Sequence, residues 1–124
     1  MFNGKEKDVN RIETLIGEQC HIIGSLNIIG MMELDGSIEG DLFCEDDVVV
    51  GQSGHIKGNI VCNNAYIHGI LHGNVCCKNT LTIENCGKVK GDISVKKLMI
   101  SEGGILDGKC AMVGYDSSDS STKP

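Results

Sequence analysis

Six times along this chain a glycine is bracketed, two residues to either side, by apolar side chains. The copies are Ile22-Ile23-Gly24-Ser25-Leu26, Ile38-Glu39-Gly40-Asp41-Leu42, Ile56-Lys57-Gly58-Asn59-Ile60, Leu71-His72-Gly73-Asn74-Val75, Val89-Lys90-Gly91-Asp92-Ile93 and Leu106-Asp107-Gly108-Lys109-Cys110. Successive glycines stand 16, 18, 15, 18 and 17 residues apart. A motif returning at this period marks a stacked repeat, because a unit so short cannot bury its own apolar face and must use its neighbours.

Aligning the copies on their glycines brings other apolar residues into columns. Two residues past each motif lie Ile28, Cys44, Cys62, Cys77, Val95 and Met112. Upstream run Ile16, Leu34, Val50, Ile67, Ile83 and Ile100, and two residues before them Thr14, Met32, Val48, Ala65, Leu81 and Leu98. Of the 30 positions in the five columns only Thr14 is not apolar, where a random draw would give about half. The columns are therefore inward-facing stacks.

Within each copy apolar residues alternate with polar or small ones, as in Val48-x-Val50 and Ile93-x-Val95. Period two means strand. Strands of three to five residues between Gly, Asn and Asp turns pair with the same strand one repeat away, in parallel register and roughly 4.8 Å apart. The fold class expected is all-β, a single-stranded parallel β-helix of about six coils over residues 14–112, roughly 30 Å long by that spacing. One corner is expected to absorb the uneven period: counted between column residues, the corners that contain Gly51-Gln52-Ser53-Gly54 and Glu84-Asn85-Cys86-Gly87 are two residues longer than Asp35-Gly36-Ser37 and His68-Gly69-Ile70. The motif glycine is expected to serve a tight corner or a positive φ.

Composition agrees. Apolar residues are 40% of the 124, glycines number 17, proline occurs once and tryptophan is absent. That excludes a disordered chain and disfavours long helices, which glycine weakens by about 1 kcal/mol each. The net charge of −6 lacks the basic face that nucleic acid requires. Seven cysteines without an export signal point to reduced thiols in a cytosol. No apolar run reaches the roughly 20 residues of a spanning helix.

The search for chemistry returns little. Cys44, Cys62 and Cys77 stack on consecutive coils as small buried hydrophobes, whereas Cys20, Cys76 and Cys86 face outward or sit at corners. His21 and His55 share an outward column two coils apart, and His68 and His72 flank a corner, without a third ligand for a metal. There is no GxxxxGK[ST] phosphate loop. No nucleophile, base and orienting group converge. The expectation is a protein that is not an enzyme and takes no cofactor, metal or nucleotide.

Residues 1–13 and 113–124 fall outside the columns and read as tails, the latter rich in Ser and Asp. In the first, Met1 and Phe2 with Lys5 and Lys7 form a candidate contact with an anionic membrane surface. Neither tail offers a capping helix. The first coil is expected to expose Ile16, Ile22, Leu26 and Ile28, and the last Leu98, Ile100, Leu106, Cys110 and Met112. Open strands over an apolar cross-section invite a second molecule at each end, and two stackable ends generate a filament. The partner implied is the protein itself.

Several stretches together resemble the bactofilins, bacterial cytoskeletal proteins: Glu13-Thr14-Leu15-Ile16-Gly17, Leu34-Asp35-Gly36-Ser37-Ile38-Glu39-Gly40-Asp41-Leu42, Val49-Val50-Gly51, and Gly103-Gly104-Ile105-Leu106-Asp107-Gly108-Lys109-Cys110. The resemblance spans residues 14–112. It implies a right-handed, triangular β-helix that joins end to end without nucleotide into non-polar filaments. It further implies a place on the inner membrane surface and a role in organising cell-wall or cell-shape machinery. Two other readings compete. A monomeric β-helical adaptor shares the fold but requires protected ends. A left-handed hexapeptide-repeat acyltransferase requires a strict period of 18, which the spacings here do not keep.

Overall fold

The computed structural model describes residues 12–112. They form eighteen short strands that wind through six coils, three strands to a coil. We number the coils one to six, over residues 12–30, 31–46, 47–63, 64–79, 80–96 and 97–112. The first strands of the coils are Ile12–Ile16, Met31–Leu34, Asp47–Val50, Asn64–Ile67, Thr80–Ile83 and Lys97–Ile100, and they make the first face. The second face is His21–Ile23, Ser37–Glu39, His55–Lys57, Ile70–His72, Lys88–Lys90 and Ile105–Asp107. The third is Leu26–Ile28, Leu42–Cys44, Ile60–Cys62, Val75–Cys77, Ile93–Val95 and Cys110–Met112. Every pairing is parallel and joins one coil to the next, so the structure is a three-sided β-solenoid.

The register stacks like on like. Ile38, Ile56, Leu71 and Val89 are successive partners on the second face, and Val48, Ala65, Leu81 and Leu98 on the first. All twenty-one buried hydrophobic residues lie in the five predicted columns, and no polar or charged side chain is buried among the described residues. A strictly apolar interior of this kind draws on burial worth about 1.5–3 kcal/mol for each fully enclosed aliphatic side chain.

The uneven period has two sources, which corrects the expectation of one. The corner between the first and second faces varies as expected, and its four longer versions each close a turn. There the backbone N–H of Cys20, Gly54, Gly87 and Gly104 donates to Gly17, Gly51, Glu84 and Ser101 at 2.8–3.0 Å. The corner between the third and first faces also changes, from two residues in coils one, two and four to one residue at Asn63 and at Lys96. Backbone groups left over by that change find substitutes. Asn64 Oδ1 accepts from the Thr80 N–H at 3.0 Å, and Lys96 and Lys97 both donate to the Asn79 carbonyl at 3.0 Å.

The motif glycines form a column along the corner between the second and third faces. Gly40, Gly58, Gly73, Gly91 and Gly108 all have positive φ, and a Cβ on any of them would collide with the backbone of the glycine one coil before. Beside them runs a ladder of Asx side chains. Oδ1 of Asp41, Asn59, Asn74 and Asp92 each accepts the backbone N–H of the next coil at 3.1–3.2 Å.

Candidate assembly interface

The stack stops at both ends without a cap among the described residues. At the first coil, Ile22, Leu26 and Ile28 pack on the core from below and remain half-exposed above. Ile16 departs from its coil-mates: it is only 7% exposed and belongs to the core, and the chain after it folds into the Gly17–Cys20 turn. The open surface at this end is thus carried by the other three. The backbone is open too. Gly24, unlike every later motif glycine, has nothing within 4 Å of where its Cβ would be.

At the sixth coil Leu98 and Leu106 are half-buried against the core. Ile100 is 45% and Met112 59% exposed. Cys110 is exposed as well, its thiol donating to Met112 Sδ at 3.6 Å. These five side chains continue the inward columns, with no seventh coil above them among the described residues. The structure therefore brings the C-terminal candidates together on one apolar cross-section, and Ile22, Leu26 and Ile28 on the other.

The sequence reading missed the rims. Ten large hydrophobic residues are exposed among the described residues, and eight of them belong to the two end coils: Ile12, Leu15, Ile23 and Ile29 in the first, Met99, Ile100, Ile105 and Met112 in the last. The four middle coils contribute only Phe43 and Ile70. Six of the eight, all but Ile100 and Met112, lie outside the interior columns, so the apolar surface extends outward around each end. The signal was available. The outward column Ile23, Glu39, Lys57, His72, Lys90, Asp107 is polar except at its terminal Ile23.

The cysteines behave as their columns require. Cys44, Cys62 and Cys77 are buried, and Cys20, Cys76 and Cys86 are exposed. Cys62 and Cys77 share a thiol hydrogen across 3.7 Å. That contact, with burial, pushes the Cys62 thiol far up, so it stays protonated. Burial, assisted by the nearby carboxylates, likewise raises Cys44, whose thiol donates to the Gly30 carbonyl at 3.2 Å. Protonated, enclosed thiols of this kind are inert filling. On the second face the rings of His55 and His72 meet edge-on at 6.2 Å, a pairing that the sequence spacing did not disclose. The candidate membrane residues Met1, Phe2, Lys5 and Lys7, and the tail 113–124, lie outside the described residues.

Charge is distributed unevenly along the axis. Coils one and two hold eight carboxylates and no lysine or arginine, whereas coils three to six hold seven lysines against five carboxylates. The crowding is felt locally: partial burial and the neighbouring Asp35 raise the Glu33 carboxyl.

Comparison with known proteins bears on this geometry. A curated relative, Bactofilin BacP of Myxococcus xanthus (strain DK1622), is 27% identical over 99 residues, 80% of this chain and 41% of that protein. The chain thus spans under half the length of that relative. The solved Thermus thermophilus bactofilin, reconstructed by cryo-EM as double helical filaments, superposes with a TM-score of 0.72 at 20% identity, over 82% of this chain and 99% of that one. The family model for Bactofilin, described as polymer-forming cytoskeletal, matches residues 14–111. A three-sided solenoid with both cross-sections apolar and open, matched to that model over nearly its whole length, belongs to the bactofilin family.

Proposed function

We propose that this protein is the subunit of a cytoskeletal scaffold that joins end to end through its open terminal coils. The observation that carries the reading is the placement of eight of the ten exposed large hydrophobic residues in the two end coils. Burying those residues against another copy removes apolar surface from water and continues the backbone ladders across the join. Neither process consumes chemical energy, which supports assembly without nucleotide. If each end meets its own kind, N-end to N-end and C-end to C-end, the joins are isologous and the filament is non-polar. The solved Thermus relative, which forms filaments, supports the same reading.

Membrane attachment is part of the proposal and rests on Met1, Phe2, Lys5 and Lys7 together with the family resemblance. One Phe anchors weakly, so attachment depends on many copies in one polymer. On that view the filament lies at the cytoplasmic face of the membrane and positions cell-wall or cell-shape proteins. The adaptor reading needs covered ends, and the exposed rims speak against it.

The test is negative-stain microscopy of purified, reduced protein without nucleotide, alongside Ile28→Arg and Leu106→Arg. Long fibres are expected from the parent chain. Each Arg places a charge in a desolvated join at a cost of several kcal/mol and should leave particles no longer than two copies. Long fibres from both variants, or discrete monomers from the parent, would sink the reading.

A further inference from the structure

Of the three faces only the second is basic. In coils three to five its outward side chains are His55 and Lys57, Ile70 and His72, and Lys88 and Lys90, stacked in unbroken register and all exposed. No carboxylate stands among them, although the chain as a whole carries a net charge of −6. Coil two borders the patch with Glu39, the partner of Lys57, and coil six with Asp107, the partner of Lys90. Asp92, at the corner beside Lys90, already accepts the Lys109 N–H at 3.2 Å. The patch is also concave. Between His55 and Asp107 the surface dips into a groove of about 530 Å³. The edge-on rings of His55 and His72 stand toward one end of it, and Ile70 and Ile105 are exposed along it.

We propose that this groove binds a short acidic segment of a partner protein, one that sets apolar side chains between its carboxylates. Charge complementarity selects the sign of the ligand. The two isoleucines select its class. They bury aliphatic surface against a peptide side chain and offer nothing to a bare chain of phosphates. A nucleic acid also requires a longer basic track than Lys57, Lys88 and Lys90 supply, and the acidic remainder of the molecule repels it.

The segment is short. Three spacings separate coils three and six, roughly 15 Å, which is about four or five residues of extended chain. Glu39 and Asp107 bound that length, since each repels a further carboxylate. This reading goes beyond the end-to-end one and does not need it, because every subunit carries a whole groove. A polymer repeats the groove, and a partner with several such segments is then held more tightly. Only this gain in strength rests on the filament reading.

Fluorescence anisotropy of the full chain with the labelled peptide EEIIEE tests it, because either side of that peptide, when extended, presents an acid–apolar–acid row. Saturable binding is expected at low salt, about tenfold weaker for QQIIQQ and about threefold weaker for EEGGEE. Lys88→Glu with Lys90→Glu should lower the affinity for EEIIEE about tenfold or more. The same reversed chain should take up KKIIKK, which shows that it is still folded. No binding, or binding that ignores the two reversals, overturns the proposal. Inorganic polyphosphate or EEGGEE bound as tightly as EEIIEE also overturns it, since the groove is then a site for any polyanion. So does tighter binding in Asp116→Asn with Asp119→Asn, which gives the groove to the chain's own tail, or affinity that falls as the chain is concentrated, which gives it to a second copy. Fibres that bind no peptide sink the groove and leave the end-to-end reading intact; peptide bound without fibres does the opposite.

Discussion

At the scale of single residues, the glycine column ties local backbone to stacking more tightly than any apolar column does. Gly58 combines a φ of 154° with a Cβ position blocked by the Gly40 backbone, whereas Gly24, with a φ of 133°, faces open space. The comparison separates conformational strain from collision. Both substitutions by Ala incur a positive-φ penalty of about 1–2 kcal/mol, but only Gly58→Ala must also push two coils apart. We expect Gly24→Ala to lose about 1 kcal/mol and Gly58→Ala about 3 kcal/mol or more. Urea unfolding in an Ile28→Arg, Leu106→Arg background, where both end joins are blocked, checks both; equal losses would show that the close approach is relaxed at little cost. The glycine spacing was plain in the sequence, and so was the need for a tight corner. Which corner came too near the coil below was not, because a close approach involves two residues fifteen or more positions apart.

Strands and corners were legible to different degrees. The five columns named all the buried hydrophobic residues because apolarity is repeated six times at each position, and repetition averages out the accidents of any one copy. Corners have no such redundancy. The missing residue at Asn63 and at Lys96 was absorbed into an apparent single source of variation, since counting residues between glycines sums over two corners. What makes the short corner tolerable is a side chain: Asn64 accepts from Thr80 N–H at 3.0 Å and donates to Asp47 Oδ1 at 3.1 Å. Asn64→Ala removes both and leaves the Thr80 N–H without its acceptor. A loss of about 1–2 kcal/mol is expected, with faster amide exchange confined to Thr80 and the residues beside it. Unchanged exchange at Thr80 would mean that water replaces the side chain fully. Ile16 was likewise misplaced as open surface, since a column marks which side chains face inward and not how far each end member is covered.

For the whole molecule the decisive quantity is charge along the axis. The formal total of −6 conceals an acidic third and a mildly basic remainder. An N-end to N-end join brings the eight carboxylates of coils one and two within a few coil spacings of eight more, while a C-end to C-end join meets no such opposition. Screening shortens the reach of such charges to about 8 Å at physiological ionic strength. Growth of filaments followed by light scattering should therefore accelerate as NaCl rises from about 20 to about 200 mM, with paired copies accumulating first at low salt. A rate that falls over the same range would place opposite ends together. The sequence held the charges in plain sight; only the coil assignment converted a list of acids into a gradient.

The bare first coil, with nothing above Gly24, has a thermodynamic meaning beyond assembly. A terminal coil in a free molecule has one neighbour, and the same coil in a join has two. To the folded end, another copy is a ligand, and a ligand at a hundred times its dissociation constant adds about 2.7 kcal/mol to the stability of whatever binds it. The melting behaviour of such a chain is then a property of its concentration as much as of its sequence. A cell that dilutes the protein loosens its outermost coils, and one that concentrates it anneals them. On the end-to-end proposal, folding of this solenoid and growth of its polymer are consecutive stages of one stacking reaction.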